Sequence, residues 1–100
     1  MIPRFSVSNF IAIVNQTFDV AFAGMVEVEG EVSGLKSYPP KYAFFDLKDD
    51  DGLVRCFAGF SNIRTPIEDG MKVVVRAMPA LRDNGAFSLN VQEIRPLGKG

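Results

Sequence analysis

Apolar positions near the start of the chain follow a helical period, and those after residue 24 follow a period of two. Val7, Phe10, Ile11, Val14 and Phe18 share one stripe of a 3.6-residue helix. They predict a helix over residues 5–21. Ser6 or Ser8 can cap it, since a serine oxygen accepts one of the orphan N–H groups of the first turn, and Ala23-Gly24 ends it. The β-branched Val7, Ile11, Ile13 and Val14 make packing, rather than propensity, the source of its stability.

Beyond Gly24, Val26, Val28 and Val32 alternate with Glu27, Glu29 and Glu31, the pattern of a half-buried strand with an acidic outer face. Gly30 falls on its apolar phase, where a glycine marks a sharp bend at a barrel corner. Strand two spans 42–48, with Ala43, Phe45 and Leu47 on one phase, and strand three spans 53–58, with Val54, Cys56 and Ala58 on one phase. Asp49-Asp50-Asp51-Gly52 joins the two as a hairpin. Strands four and five, 71–77 and 86–94, connect across Arg82-Asp83-Asn84-Gly85, and 59–70 holds at most a helical turn. One helix followed by five short strands predicts an all-β fold, a closed or nearly closed β-barrel with one N-terminal helix. A five-stranded OB-fold fits best. The alternative, an SH3-like barrel, accounts less well for a long first strand with a central glycine.

Strand parity then assigns side chains to faces. With Ala43, Phe45 and Leu47 inward, Tyr42, Phe44, Asp46 and Lys48 point out, as do Arg55 and Phe57 on strand three. The four-residue turn sets Phe44 opposite Phe57 and Asp46 opposite Arg55. The outer face of the hairpin carries two or three rings flanked by Lys48 and Arg55, and unpaired bases stack on such rings while phosphates meet the cations. In an OB-fold the loops between strands 1–2 and 4–5 border this face. The first is expected to supply Lys36, Tyr38 and Lys41, and the second Arg82. Exposed rings on a sheet serve protein contacts equally well, so the pattern leaves single-stranded nucleic acid and a protein-contact or structural role both open.

Composition removes other classes. The 100 residues, 47% hydrophobic and 23% charged, suit one globular domain and exclude disorder, collagen and coiled coil. No apolar run approaches the ~18 residues of a membrane span, and nothing reads as a secretory signal. A single cysteine forms no internal disulfide and suggests a reduced, intracellular setting. Without histidine there is no Ser-His or Cys-His pair and no imidazole zinc site. Cys56 reads as a buried structural thiol. The aspartates at 49–51 read as a solvated turn, since calcium-loop spacing is absent. Glu27, Glu29 and Glu31 read as a solvated face. No catalytic residue, metal site or cofactor is expected. At a net charge of −1, nucleic-acid binding requires segregated surface charge.

Phe5-Ser6-Val7-Ser8, Val28-Glu29-Gly30-Glu31-Val32-Ser33, Phe44-Phe45-Asp46-Leu47-Lys48-Asp49, Val54-Arg55-Cys56 and the run from Glu68 to Arg76 stand in an order that resembles the N-terminal domain of exodeoxyribonuclease VII large subunits. Single pieces are unspecific; the ordered set covers nearly the whole chain. The resemblance implies an OB-fold domain that grips single-stranded DNA for a cytoplasmic nuclease, which degrades such DNA to oligonucleotides. It also implies a small-subunit partner, held through a C-terminal part with no counterpart here. On this view 1–22 is a helical segment, 23–96 the OB-fold, and 97–100 the start of a linker to a catalytic domain. Lys48, Arg55 and Arg76 match basic positions of the family's strands two to four, and Arg64 matches one after strand three. Glu27 departs from a frequent aromatic, Phe60 and Met78 from frequent basic residues, and the strand 4–5 turn from Pro-Arg-Gly. These departures imply weaker DNA binding by this chain. The alternative role is an interaction module that positions the catalytic domain or mediates self-assembly.

Overall fold

Ser6 opens the helix, its Oγ accepting a hydrogen bond from the Asn9 N–H at 3.1 Å, and α1 runs Val7–Phe22 in the computed structural model, which describes residues 1–97. Ala23 ends it in the left-handed conformation, φ 51°, with its N–H bonded to the Asp19 carbonyl. The expected apolar stripe is only partly used. Ile11 alone is buried, while Val7 is 77% and Phe10 52% exposed. The reason is where the helix lands: its contact is with the end of the fourth strand, through the middle and C-terminal turns. Asn15 Nδ2 donates to the Leu81 carbonyl at 3.0 Å, and Asn15 Oδ1 accepts from the Leu81 N–H at 2.8 Å. One side-chain amide thus takes the place of a neighbouring strand at that residue. Phe18 adds an edge-on contact with Phe87 at 5.7 Å.

Five strands follow: β1 Val26–Tyr38, β2 Tyr42–Lys48, β3 Leu53–Gly59, β4 Lys72–Leu81 and β5 Phe87–Pro96. They close into a barrel in the order β1-β2-β3-β5-β4, antiparallel except for the parallel β3–β5 pair. This is the five-stranded OB-fold with one N-terminal helix. The inward phase carries Val32, Phe45, Leu47, Cys56, Val73, Val75 and Val91, all buried. Asp49 Oδ1 accepts from the N–H groups of Asp51 and Gly52, both at 2.9 Å, so the aspartate run is a turn device.

β1 serves two neighbours. Its first half pairs with β4 and its second with β2, and Glu31 is opposite both Lys48 and Lys72. Gly30 lies at this changeover, where a Cβ would stand 2.9 Å from both Leu47 Cγ and the Lys48 carbonyl oxygen. The corner is that tight.

A second irregularity shapes the outer surface. Ser33 pairs with Asp46 but Lys36 with Phe44, so β1 holds one extra residue at Gly34–Leu35, a β-bulge with Gly34 at φ +64°. The Leu35 N–H is satisfied by Asp69 Oδ1 at 2.9 Å, and its side chain packs on the core. Without the bulge, alternation from Val32 would send Lys36 and Tyr38 inward; with it, they point out beside Phe44 and Tyr42. This corrects the expectation of a long loop between strands one and two. Lys36 and Tyr38 stand on β1, and the connection is residues 39–41, leaving only Lys41 in it. β4 and β5 also extend past the expected 77 and 94, to Leu81 and Pro96. The short 3-10 turn Phe60–Asn62 occupies the stretch expected to hold a helical turn. Of the expected linker 97–100, Leu97 still donates to the Lys72 carbonyl at 2.9 Å, and the remainder lies outside the described residues. Among the described residues no helix is long and apolar enough to cross a membrane.

Candidate nucleic-acid interface

Register places a row of side chains across four strands of the outer surface. Lys36 on β1 is opposite Phe44 on β2, Phe44 opposite Phe57 on β3, and Phe57 opposite Asn90 on β5. The row spans three strand spacings, about 14 Å. The next row toward the β1–β2 turn pairs Tyr38 with Tyr42, and Tyr42 with Gly59. Gly59 offers no side chain, and Tyr42 makes its ring contacts with Phe44 and Phe57, at 5.2 and 5.3 Å. Phe44 and Phe57 are 5.2 Å apart, Tyr38 and Tyr42 5.5 Å, and Tyr38 and Phe44 6.1 Å. Four rings therefore form one tilted and edge-on cluster, a stable arrangement for aromatic side chains. Phe44 is 40% and Tyr38 48% exposed, and Phe57 and Tyr42 are half-buried. α1 covers none of this cluster's strands in any extended way, since its packing is on β4.

Cations surround the rings. Lys36 and Arg55 line a shallow cleft beside Phe44, of about 230 Å³, together with Asp46. Arg55 Nε is 3.4 Å from Asp46 Oδ1, while its side chain remains 77% exposed. So open a pair adds little stability and leaves the guanidinium accessible. Lys41 is exposed in the turn beyond Tyr38 and Tyr42. From the other side, the Arg82 guanidinium lies 5.1 Å over the Phe57 ring, its Nε donating to Ser88 Oγ at 3.3 Å.

Three residues of the expected set do not join this cluster. Lys48 lies four positions from Phe44, about 13 Å along β2, in a cleft with Glu29, Glu31, Asp49, Asp50 and Lys72. Arg76 points outward from β4, with Nη2 3.2 Å from Glu27 Oε2 and Nη1 3.3 Å from Glu93 Oε1. The glutamate face of β1 is therefore neutralised in part by β4, rather than simply solvated. Arg64 lines a cleft of about 630 Å³ with Arg76, Glu93 and Arg95, on the β4–β5 side of the barrel. Asn90 escaped sequence reasoning altogether, since one asparagine in a strand carries no pattern.

Cys56 faces inward and is 1% exposed. Burial, aided by the Asp46 carboxylate, pushes its thiol up to about 12 from 9.0. It is a packing group with almost no thiolate.

Residues 5–95 match the family of the OB-fold nucleic acid binding domain. The chain is also similar to the exodeoxyribonuclease 7 large subunit of Rickettsia bellii, 31% identical over 101 residues, covering 97% of this chain and 23% of that protein. Its counterpart from Nitrosomonas europaea is 35% identical over 97 residues, covering 92% of this chain and 20% of that protein. The chain thus spans less than a quarter of the length of these curated relatives.

Proposed function

The chain belongs to the family of OB-fold nucleic acid binding domains and is similar over nearly all its length to exodeoxyribonuclease VII large subunits; from that premise we propose that it grips single-stranded DNA on the ring face. Bases stack on Tyr38, Tyr42, Phe44 and Phe57, phosphates meet Lys36, Lys41 and Arg55, and Arg82 closes over Phe57 from the other side. The carrying observation is the four-ring cluster with cations on both flanks, on a chain of net charge −1. Each stacked base contributes about 1–3 kcal/mol, enough to hold a strand without a strongly basic domain. Lys48, Arg64 and Arg76 are outside this contact set. Rings and point charges read no base-specific pattern, so sequence preference is small. In a longer protein like its relatives, the domain presents substrate to a separate catalytic domain that degrades single-stranded DNA in the cytoplasm, and the small subunit is held elsewhere. Fluorescence anisotropy with a labelled dT oligomer at low salt tests the grip. Affinity should fall with salt at a log–log slope of about −0.7 per neutralised phosphate; no binding at low salt overturns it.

A second reading, a protein-contact module, draws on α1, where Val7 is 77% and Val20 85% exposed. A concentration-dependent dimer in sedimentation, combined with indifference to the dT oligomer, would favour it.

A further inference from the structure

Resting on the reading of the ring face as a single-strand grip, we propose that the cleft between Phe57, Arg82 and Asn90 receives one unpaired nucleobase, stacked on Phe57 beneath the Arg82 guanidinium and hydrogen-bonded at its edge by the Asn90 carboxamide.

Asn90 is the first reason. Its Oδ1 is buried without a hydrogen-bond partner, the one such side-chain atom among the described residues. Buried polar atoms are nearly always paired, and an orphan calls for a cause. A carboxamide with Phe57 on one side and Met78 on the other is otherwise a poor choice, since a leucine there would carry no desolvation penalty. Its place in the row is directly opposite Phe57.

Arg82 is the second. Its guanidinium lies over the Phe57 face that a base would take, and planar cations and bases are interchangeable partners for an aromatic ring. The backbone of its turn is fixed, Arg82 N–H donating to the Ala86 carbonyl at 2.8 Å and Gly85 N–H to the Arg82 carbonyl at 2.9 Å. Among the described residues the side chain has one hydrogen bond, the 3.3 Å contact with Ser88. It can therefore lift as a flap while its root stays in place, admitting a base between ring and guanidinium and opening the way to the neighbouring Asn90 carboxamide, whose Oδ1 has almost no exposed surface while the cleft is empty.

The third is charge. The cleft, of about 620 Å³, is open, and Asp83 and Asn84 complete its wall. The Asp83 carboxylate offsets the Arg82 charge, so the cleft suits the neutral part of a nucleotide better than its phosphate. A carboxamide offers a donor and an acceptor side by side, which complements an adjacent acceptor–donor pair on every base. Asn90 thus distinguishes a base from an empty sugar, rather than one base from another.

The experiment compares binding of the 100-residue chain to a dT oligomer and to an abasic deoxyribose-phosphate oligomer of equal length. The wild type should prefer the dT oligomer. Asn90→Leu should lower that preference about five-fold or more, the effect of one lost hydrogen bond, while its Tm holds or rises. Arg82→Lys, which keeps the charge but removes the planar group, should lower it comparably with the salt slope unchanged. Should Asn90→Leu instead lower Tm, Arg82→Lys decides alone. Unchanged preference in both variants, with Phe44→Leu still weakening dT binding, overturns the base cleft and leaves the grip standing. Failure of the wild type to bind either oligomer overturns the grip and the cleft together.

Discussion

Replacing Phe44 with leucine separates what its ring does for the fold from what it does for a ligand. Phe44 is 40% exposed and has the rings of Tyr38, Tyr42 and Phe57 at 6.1, 5.2 and 5.2 Å. Leucine retains most of the apolar body but has no π-face. One lost base stack is worth about 1–3 kcal/mol, so Kd for a dT oligomer should rise roughly 5- to 150-fold at about 1.4 kcal/mol per decade. The fold loses less. Ring pairs contribute ~0.5–1.5 kcal/mol each when well packed, but these are partly exposed and leucine restores some contact. A net loss near 1 kcal/mol would lower Tm by roughly 4–8 °C in a domain of this size. Anisotropy measured well below Tm reads the first quantity, and circular dichroism melting reads the second. A lower Tm with unchanged Kd would show that the rings pack only against one another, and the grip reasoning would fail.

Three further outcomes follow from the same geometry. Gly30→Ala should destabilise by about 1–3 kcal/mol through overpacking, because the new methyl meets the Lys48 carbonyl and Leu47 at 2.9 Å; an unchanged melting curve would mean the corner has slack. Arg55→Ala should make the salt dependence of dT binding shallower by about 0.7, whereas Arg76→Ala, whose guanidinium lies between Glu27 and Glu93, should leave it unaltered; equal slopes for the two variants would place the strand across β4. Cys56, with its thiol pushed up to about 12 from 9.0, should resist thiol reagents at pH 8 in the folded chain. Its folded value exceeds the unfolded one, so its contribution is complete below pH 9 and declines as pH rises from 9 to 12, up to about tenfold per unit in the unfolding equilibrium. Cys56→Ala should flatten that part of the alkaline profile, and a profile identical to wild type would refute the assignment.

The alternation of Tyr42 to Lys48 and Leu53 to Ala58 made the hairpin legible in sequence, down to Phe44 opposite Phe57 and Asp46 opposite Arg55. Period and turn residues are local quantities, and the hairpin depends on little else. The five-stranded barrel and the Gly30 corner were legible for the same reason. What escaped depended on distant partners. Lys36 and Tyr38 were read as loop because the alternation of β1 fails at Gly34, and only pairing with β2 shows that failure to be a bulge. The α1 stripe was read as buried because its pattern is amphipathic, but the barrel offers it a surface only near Ile11, Asn15 and Phe18. The resemblance supplied Lys48, Arg55, Arg64 and Arg76 as basic positions, and only strand order shows that Arg76 lies between Glu27 and Glu93 and Lys48 beside Glu29 and Glu31. The position of Asn90 beside Phe57 needs the parallel β3–β5 pair, the longest-range contact of the row.

The extra residue in β1 also bears on how such a chain can change its length. Downstream of Gly34 a single insertion or deletion would exchange inside for outside, turning Lys36 and Tyr38 toward the core and Leu35 toward water. Drift in this strand is therefore constrained to compensated pairs, or to the Pro39-Pro40 turn, where one more residue alters no orientation. A homologue that lacks the bulge but keeps a ring at the surface should carry that ring one position away, and comparisons made column by column would mistake conserved geometry for a lost aromatic.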